Sequence, residues 1–160
     1  MPIILNEKIP YFSIETVDFK GNIETFTPEL ALNKIFVLYF YPRDLTSGCT
    51  KEAQDFAAKF ADFQKANAFV LGISRDTIAR HKKFIEKENL PFPLAADPNE
   101  EVCNLFGVIQ PKKMYGKDVR GIVRSTFLFD ENGVLRQQWL KVKIPNHVDE
   151  VLQAVLELNQ

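Results

Sequence analysis

The chain has 160 residues, of which 46% are hydrophobic and 26% are charged, and its formal net charge is -1. This length and composition are typical of a soluble globular domain with a hydrophobic core, so we predict a single domain over residues 1–160. The balanced charge gives no electrostatic basis for binding nucleic acid, and no segment approaches the roughly 20 apolar residues of a membrane span.

The N-terminal segment and the cysteine count favour a cytoplasmic protein. The first basic residue, Lys8, follows a short apolar run instead of preceding it, which is the reverse of the order in a secretory signal peptide. The chain has only two cysteines, Cys49 and Cys103, whereas a small secreted disulfide scaffold normally has more. We therefore expect two free thiols, each either inert or catalytic.

The first half of the chain predicts an N-terminal β-hairpin followed by buried strands that alternate with helices. Strands are expected at residues 11–16, 23–26, 34–41 and 69–74. The segment KIFVLYFY, the third of these, is an almost unbroken apolar run, which favours a central strand with both faces buried. Helices are expected after Gly48, where apolar side chains recur every three or four residues, and at 77–89 with Asp76 as N-cap.

The second half predicts a short helix, a strand pair and a closing helix. Its predicted elements are an extended segment at 91–93, a helix at 99–106, a solvated basic loop at 111–120, strands at 122–129 and 134–142, and a helix at 146–158. The basic loop is available to recruit an acidic reductant. Five apolar residues are expected on the inner side of the closing helix: Val148, Val151, Leu152, Val155 and Leu156.

Buried strands that alternate with helices, followed by a C-terminal hairpin, predict an α/β three-layer sandwich with a mixed central sheet. This order is compatible with a thioredoxin-like fold, although the pattern alone does not single that fold out.

The segment with the clearest chemical signal is YPRDLTSGCT, residues 41–50. It leads from a buried strand through a short polar loop to Cys49 in the first turn of the next helix. The free N–H groups and partial positive charge of a helix N-terminus favour a thiolate over a thiol. Thr46 lies three residues before the sulfur, where its hydroxyl can turn toward it, and Gly48 allows a close approach of the backbone to a ligand.

The longer string YFYPRDLTSGCT resembles the P-x-x-x-T-x-x-C signature of peroxiredoxins, and its context is similar to the PrxQ-type, or bacterioferritin comigratory protein, subfamily. The strings LGISRD, EVCNLFGV, GIVRSTFLFD and NHVDEVL extend the resemblance from about residue 34 to the C-terminus. The resemblance implies a thioredoxin fold and a thiol-dependent peroxidase that reduces hydrogen peroxide and organic hydroperoxides without a cofactor or metal.

The resemblance also implies a role for each matching residue. Cys49 would be the peroxidatic cysteine, whose thiolate attacks a peroxide oxygen and becomes a sulfenic acid as water or an alcohol leaves. Thr46 would hydrogen-bond the sulfur and the peroxide, and Pro42 would shield the sulfur from water. Arg124 would stabilise the thiolate and the charge that shifts onto the peroxide oxygens, with Glu52 as an orienting partner.

The sequence departs from the subfamily in the residues that would resolve the sulfenic acid. Many relatives have a second cysteine five residues after the first, where this chain has Gln54, and the predicted helix at 77–89 has no cysteine either. Relatives usually have a proline directly after the threonine, and this chain has Ser47 at that position. Cys103 is the only internal candidate, but a disulfide needs Cα atoms within about 7 Å, and a lone second cysteine is usually a packing residue.

We therefore predict a one-cysteine cycle in which an external thiol, such as thioredoxin, glutaredoxin or a small thiol, attacks the sulfenic acid. Because PrxQ-type relatives are often monomers, we expect a monomer or weak dimer.

Other activities have weaker support in the sequence. His81 and His147 are expected at the surface and lack an evident orienting carboxylate, which argues against a Cys–His hydrolase. No Cys/His pair has the spacing of metal ligands, and Glu52 stands where a C-x-x-C reductase needs its second cysteine. A non-enzymatic peroxide sensor or holdase-like protein, with Cys49 as a switch, remains an alternative that turnover with excess thiol would distinguish.

Overall fold

A computed structural model describes residues 3–159, with the side chains at 112 and 114 excepted. The strands are β1 (Ile14–Val17), β2 (Ile23–Phe26), β3 (Ile35–Phe40), β4 (Ala68–Ser74), β5 (Leu94–Ala96), β6 (Ile109–Met114), β7 (Lys117–Ile122), β8 (Ser125–Phe129) and β9 (Leu135–Leu140). The helices are α1 (Ser47–Ala58), α2 (Phe60–Lys65), α3 (Ile78–Glu88), α4 (Glu101–Leu105) and α5 (His147–Leu158), with a 3-10 turn at Pro28–Ala31.

Seven strands form one mixed sheet in the order β2-β1-β5-β4-β3-β8-β9. Strand β3 lies inside it, parallel to β4 and antiparallel to β8, and all six of its residues are buried, which confirms the predicted central strand. The predicted N-terminal hairpin is also confirmed, since β1 pairs antiparallel with β2. The fold class predicted from the sequence, α/β with a mixed central sheet, is therefore correct.

The sheet separates two hydrophobic cores, because successive side chains of a strand point to opposite faces. The α1 core contains Tyr39 of β3 and side chains from α1, α2, α3 and α5. The α4 core contains Phe36 and Phe40 of the same strand, side chains from α4, and residues of the segments around it. Within residues 3–159, the structure has no helix with both the length and the apolar character needed to span a membrane.

The basic stretch at 111–120 is not the solvated loop that the sequence predicts. It forms most of a separate two-stranded hairpin in which β6 pairs antiparallel with β7. Tyr115 and Gly116 at its tip both have positive φ, 53° and 77°, as a tight two-residue turn requires. The sequence pattern concealed the hairpin because its side chains are mostly exposed, so it lacks a buried alternating face.

Several boundaries also differ from the prediction. Thr77, not Asp76, is the N-cap of α3, because its hydroxyl accepts a hydrogen bond from the Arg80 N–H at 3.3 Å. The extended segment predicted at 91–93 leads into the short strand β5 at Leu94–Ala96, which was not predicted and pairs in parallel with β4. Leu156 was predicted to face inward, but it is 42% exposed, because Ala154 takes a buried place on α5.

Candidate active site

Cys49 is the third residue of α1 and is buried at the edge of the α1 core, with 2% of its surface exposed. The first backbone hydrogen bond of this helix runs from the Thr50 N–H to the Thr46 carbonyl oxygen at 2.9 Å. Thr46 is the N-cap by position, but its exposed side chain makes no capping bond; the hydroxyl instead donates to the Arg43 carbonyl oxygen at 2.9 Å. The sulfur therefore lies in a helical turn whose N–H groups are not capped by this threonine.

Arg124 connects Cys49 to a buried carboxylate. It lies in the two-residue break between β7 and β8, where its carbonyl oxygen accepts a hydrogen bond from the Val142 N–H at 2.9 Å. Its Nη2 donates to Cys49 Sγ at 3.4 Å, and its Nη1 donates to Glu52 Oε1 at 2.6 Å. The planar guanidinium thus binds two side chains one turn apart on α1, which fixes the direction of its charge toward the sulfur.

The ionisation of this group follows from burial and mutual attraction. Burial raises the pKa of Glu52 to about 7, although the Arg124 charge and hydrogen bond oppose the shift. Burial by itself would lower the pKa of Arg124, but Glu52 and Cys49 together raise it above its ordinary value. Arg124 therefore remains a cation beside the sulfur, while Glu52 is able to take up a proton near neutral pH.

Gly48 allows this approach of Arg124 to the helix. A Cβ at this position would lie 3.3 Å from Arg124 Nη2 and 3.3 Å from Ile144 Cδ1. A groove of about 630 Å³ opens here, lined by Gly48, Lys51, Ile144 and Pro145 among others. It runs along α1 from Ser47 to Lys59, so it begins close to the turn of Cys49, although neither Cys49 nor Arg124 lines it.

Both histidines are buried, contrary to the prediction that they lie at the surface. The Nδ1 of His81 lies 2.6 Å from Asp44 Oδ2, so this histidine also has the carboxylate partner that the sequence did not reveal. The Nε2 of His147 lies 2.8 Å from Thr126 Oγ1. Burial and the nearby Arg124 charge lower the pKa of His147 to about 4, so it is neutral at pH 7.

Cys103 lies on the other side of the sheet from Cys49. Its side chain is fully buried in the α4 core, whereas Cys49 belongs to the α1 core. Its backbone N–H donates to Asp97 Oδ2 at 2.7 Å, and burial raises the pKa of its thiol well above the ordinary range. The fold therefore brings Arg124 and Glu52 to Cys49 but keeps Cys103 away from it.

The sequence compares with known proteins as follows. The profile of the AhpC/TSA family matches residues 5–138. Peroxiredoxin Bcp of Xanthomonas campestris pv. campestris is 50% identical over 119 residues, which cover 74% of each chain. Peroxiredoxin Bcp of Bacillus subtilis is 45% identical over 168 aligned positions, which cover 100% of this chain and 99% of that protein.

Solved structures agree with these sequence matches. The bacterioferritin comigratory protein of Xanthomonas campestris, which has alkyl peroxide reduction activity, superposes with a TM-score of 0.83 at 41% identity and covers 92% of both chains. A mutant of PrxQ from Xylella fastidiosa superposes with a TM-score of 0.90 at 32% identity, covering 100% of this chain and 99% of that one.

Proposed function

This chain belongs to the AhpC/TSA family and is a thiol-dependent peroxidase, and on that premise we propose that Cys49 is its peroxidatic cysteine and that an external thiol completes each cycle. The observation that carries the proposal is the Arg124 guanidinium, which donates to both Cys49 Sγ and Glu52.

In the first step, the Cys49 thiolate attacks one peroxide oxygen in line with the O–O bond. An S–O bond forms, the O–O bond breaks, and the departing oxygen takes a proton and leaves as water or an alcohol. Cys49 is thereby oxidised to a sulfenic acid. Arg124 stabilises the negative charge as it moves from sulfur to oxygen, and its fixed position lowers the barrier because it needs no reorganisation.

Thr46 and Pro42 are proposed to prepare the substrate for this step. The single hydroxyl proton of Thr46 is engaged by the Arg43 carbonyl oxygen, which leaves the lone pairs of Oγ1 free to accept the O–H of a hydroperoxide. The half-buried Pro42, directly after β3, would limit access of water to the sulfur. Both effects favour a peroxide held at attack distance.

An external thiol is proposed to reduce the sulfenic acid. It attacks the sulfenic sulfur, releases water and forms a mixed disulfide, and a second thiol then restores Cys49, so that ROOH and two RSH give ROH, water and RSSR. Two observations support this route. The Nε2 of Gln54 donates to Glu88 Oε1 at 2.8 Å and offers no sulfur, and Cys103 lies in the α4 core.

We propose hydrogen peroxide and organic hydroperoxides as substrates. The groove beside Gly48, with Ile144 and Pro145 in its wall, has room for a small organic tail, and the Xanthomonas campestris relative reduces alkyl peroxides. Thioredoxin, glutaredoxin or a small thiol would serve as reductant. A monomer or weak dimer in the cytoplasm, and one domain over residues 1–160, remain predictions.

The proposal is tested by peroxide consumption with excess thioredoxin, glutaredoxin or dithiothreitol. The wild type and Cys103→Ser should turn over many equivalents, whereas Cys49→Ser should be inactive. Mass spectrometry of peroxide-treated protein should find one added oxygen on Cys49. A quantitative Cys49–Cys103 disulfide would contradict the one-cysteine cycle, and turnover that stops after one equivalent would favour the sensor or holdase-like alternative.

A further inference from the structure

A fully buried polar cluster connects the loop before α1 to helix α3. It consists of Tyr41, Asp44 and His81, each of which is at most 1% exposed. The Tyr41 hydroxyl donates to Asp44 Oδ1 at 2.6 Å, and His81 Nδ1 lies 2.6 Å from Asp44 Oδ2. His81 Nε2 lies 2.9 Å from the Ala95 carbonyl oxygen of β5. Within residues 3–159, none of these three side chains forms a hydrogen bond or ion pair with Cys49, so any effect on its chemistry is indirect.

The distances show how the His81–Asp44 pair is hydrogen-bonded. The Ala95 carbonyl oxygen can only accept, so Nε2 of His81 carries a proton and donates it. The contact between Nδ1 and the Asp44 carboxylate then needs one further proton between them. Both side chains of the pair are thus hydrogen-bonded in the core. Removing either partner would leave the other buried and unpaired.

The backbone of Asp44 is also bound on both sides. Its N–H donates to Asp76 Oδ2 at 2.8 Å, and its carbonyl oxygen accepts from Arg80 Nη2 at 3.2 Å. The Arg80 Nε in turn donates to Asp76 Oδ1 at 3.0 Å. Every polar group of Asp44 is thus hydrogen-bonded, and apart from the Tyr41 bond these contacts come from α3 or the residues just before it.

The residue that follows Asp44 adopts an unfavourable backbone conformation. Leu45 has φ 66°, in the left-handed region, where its Cβ crowds the following carbonyl oxygen. Such a conformation persists when the surrounding structure over-determines it. Thr46, the N-cap of α1, follows directly, so the position of Asp44 determines where Thr46 and the turn that carries Cys49 begin.

We propose that His81 is a positioning residue for peroxide reduction: by pinning Asp44 to α3 and β5, it holds the strained turn at Leu45 and thereby places Thr46 beside Cys49. The inference rests on the proposed function of Cys49, but it concerns only the rate at which this cysteine reacts with peroxide. Attack on the O–O bond requires alignment of sulfur, substrate and Thr46, whereas alkylation by iodoacetamide requires only an accessible thiolate.

The test compares the rates at which Cys49 reacts with hydrogen peroxide and with iodoacetamide in His81→Gln, Asp44→Asn and Tyr41→Phe. Misplacement of catalytic groups by about 1 Å slows reactions by about 100-fold, so we expect His81→Gln and Asp44→Asn to slow oxidation by about 10- to 100-fold. Tyr41→Phe removes one hydrogen bond without changing the side-chain shape, and it should slow oxidation about fivefold. Alkylation should keep its wild-type rate in all three.

Asp97→Asn is the matched control. It makes the same change to a buried carboxylate that binds backbone N–H groups, those of Val102 and Cys103, but in the α4 core. It should oxidise at the wild-type rate. If His81→Gln or Asp44→Asn does not fold, Tyr41→Phe decides the test.

Unchanged oxidation in the folded variants, or an equal fall in oxidation and alkylation, would overturn the positioning role. A wild-type protein that does not oxidise at Cys49 would instead refute the proposed function.

Discussion

Arg124 is the residue whose geometry the proposed chemistry depends on most. Its fork binds Glu52 and Cys49 together, which a lysine ammonium cannot do from one position although it keeps the charge. We expect Arg124→Lys to lower kcat/KM for hydrogen peroxide by about 100-fold, the usual effect of losing one fixed donor to a developing charge. Arg120→Lys is a suitable control, because Arg120 also binds a carboxylate, that of Glu100, but at an exposed site. Nearly wild-type activity of Arg124→Lys would show that charge alone suffices.

Glu52 gives the protein a distinctive dependence of stability on pH. Its pKa is about 7 in the folded protein against an ordinary value of 4.5, so between these values the folded state retains a proton that the unfolded state releases. The free energy of unfolding should therefore fall as the pH rises through this window, by up to about 3 kcal/mol from this group. His147 acts in the opposite direction, because its pKa falls from 6.5 to about 4 on folding, so the folded state gains stability as the pH rises between these values. The Glu52 part is therefore the difference between the wild type and Glu52→Gln in urea unfolding at pH 5 and pH 8.

The Glu52→Gln variant should lose this component, because a glutamine has no proton to release. Glu157→Gln, at an exposed position on α5, should retain the wild-type dependence. An identical pH dependence in Glu52→Gln and the wild type would show that the carboxyl group does not titrate in this range.

At the scale of elements, Gly48 at the start of α1 favours the helix less than alanine would, but it leaves room for Arg124 beside the sulfur. In Gly48→Ala the new Cβ would lie 3.3 Å from Arg124 Nη2, so the guanidinium must shift. We expect peroxidase activity to fall by about tenfold. The free energy of unfolding should change by less than about 1 kcal/mol, because alanine is the better helix former but its Cβ is crowded by Arg124 and Ile144.

Steady-state kinetics and urea unfolding of the same Gly48→Ala sample measure the two effects, on peroxidase activity and on the free energy of unfolding. Ser47→Ala, in the same turn at an exposed position, adds no atom and should change the activity little. Loss of stability and activity together in Gly48→Ala would indicate general damage to the helix instead.

At the scale of the whole molecule, the central sheet places the two thiols in different cores, so we expect them to differ in their accessibility to thiol reagents. Cys49 lies in the first turn of α1 next to the half-buried Gly48 and Arg124, whereas Cys103 is enclosed in the α4 core. A thiol reagent should therefore modify Cys49 in the folded protein and reach Cys103 only when the core opens globally. Labelling of Cys49→Ser across a urea series should follow its unfolding curve. Rapid labelling of Cys103 without urea would contradict this enclosure.

Local patterns predicted those parts of the fold that depend on neighbours in the chain. The apolar run of β3 indicated a strand buried on both faces, and the short polar loop after it indicated a cysteine in the first turn of the next helix, as the structure has it. Predictions from local sequence patterns were wrong where the structure depends on contacts with residues distant in the chain or on too little buried surface. The hairpin of β6 and β7 has too little buried surface for an apolar pattern, and the N-cap of α3 moved one residue because Asp76 binds Asp44 and Ser74.

The sequence by itself determined the class of the fold, the family and the cysteine on which the chemistry is expected to centre. Each of these follows from apolar runs, helical periodicity or short motifs, whose residues lie close together in the chain. The resemblance to peroxiredoxins predicted that Arg124 acts on that cysteine, with Glu52 as its partner, whereas only the tertiary structure decided the geometry of this contact and the contacts of the histidines and Cys103. Arg124 reaches Cys49 across 75 positions, His81 reaches Asp44 across 37, and Cys103 is kept on the far side of the sheet. The order of the strands in the sheet fixes these contacts, and local hydrophobic periodicity carries no information about that order.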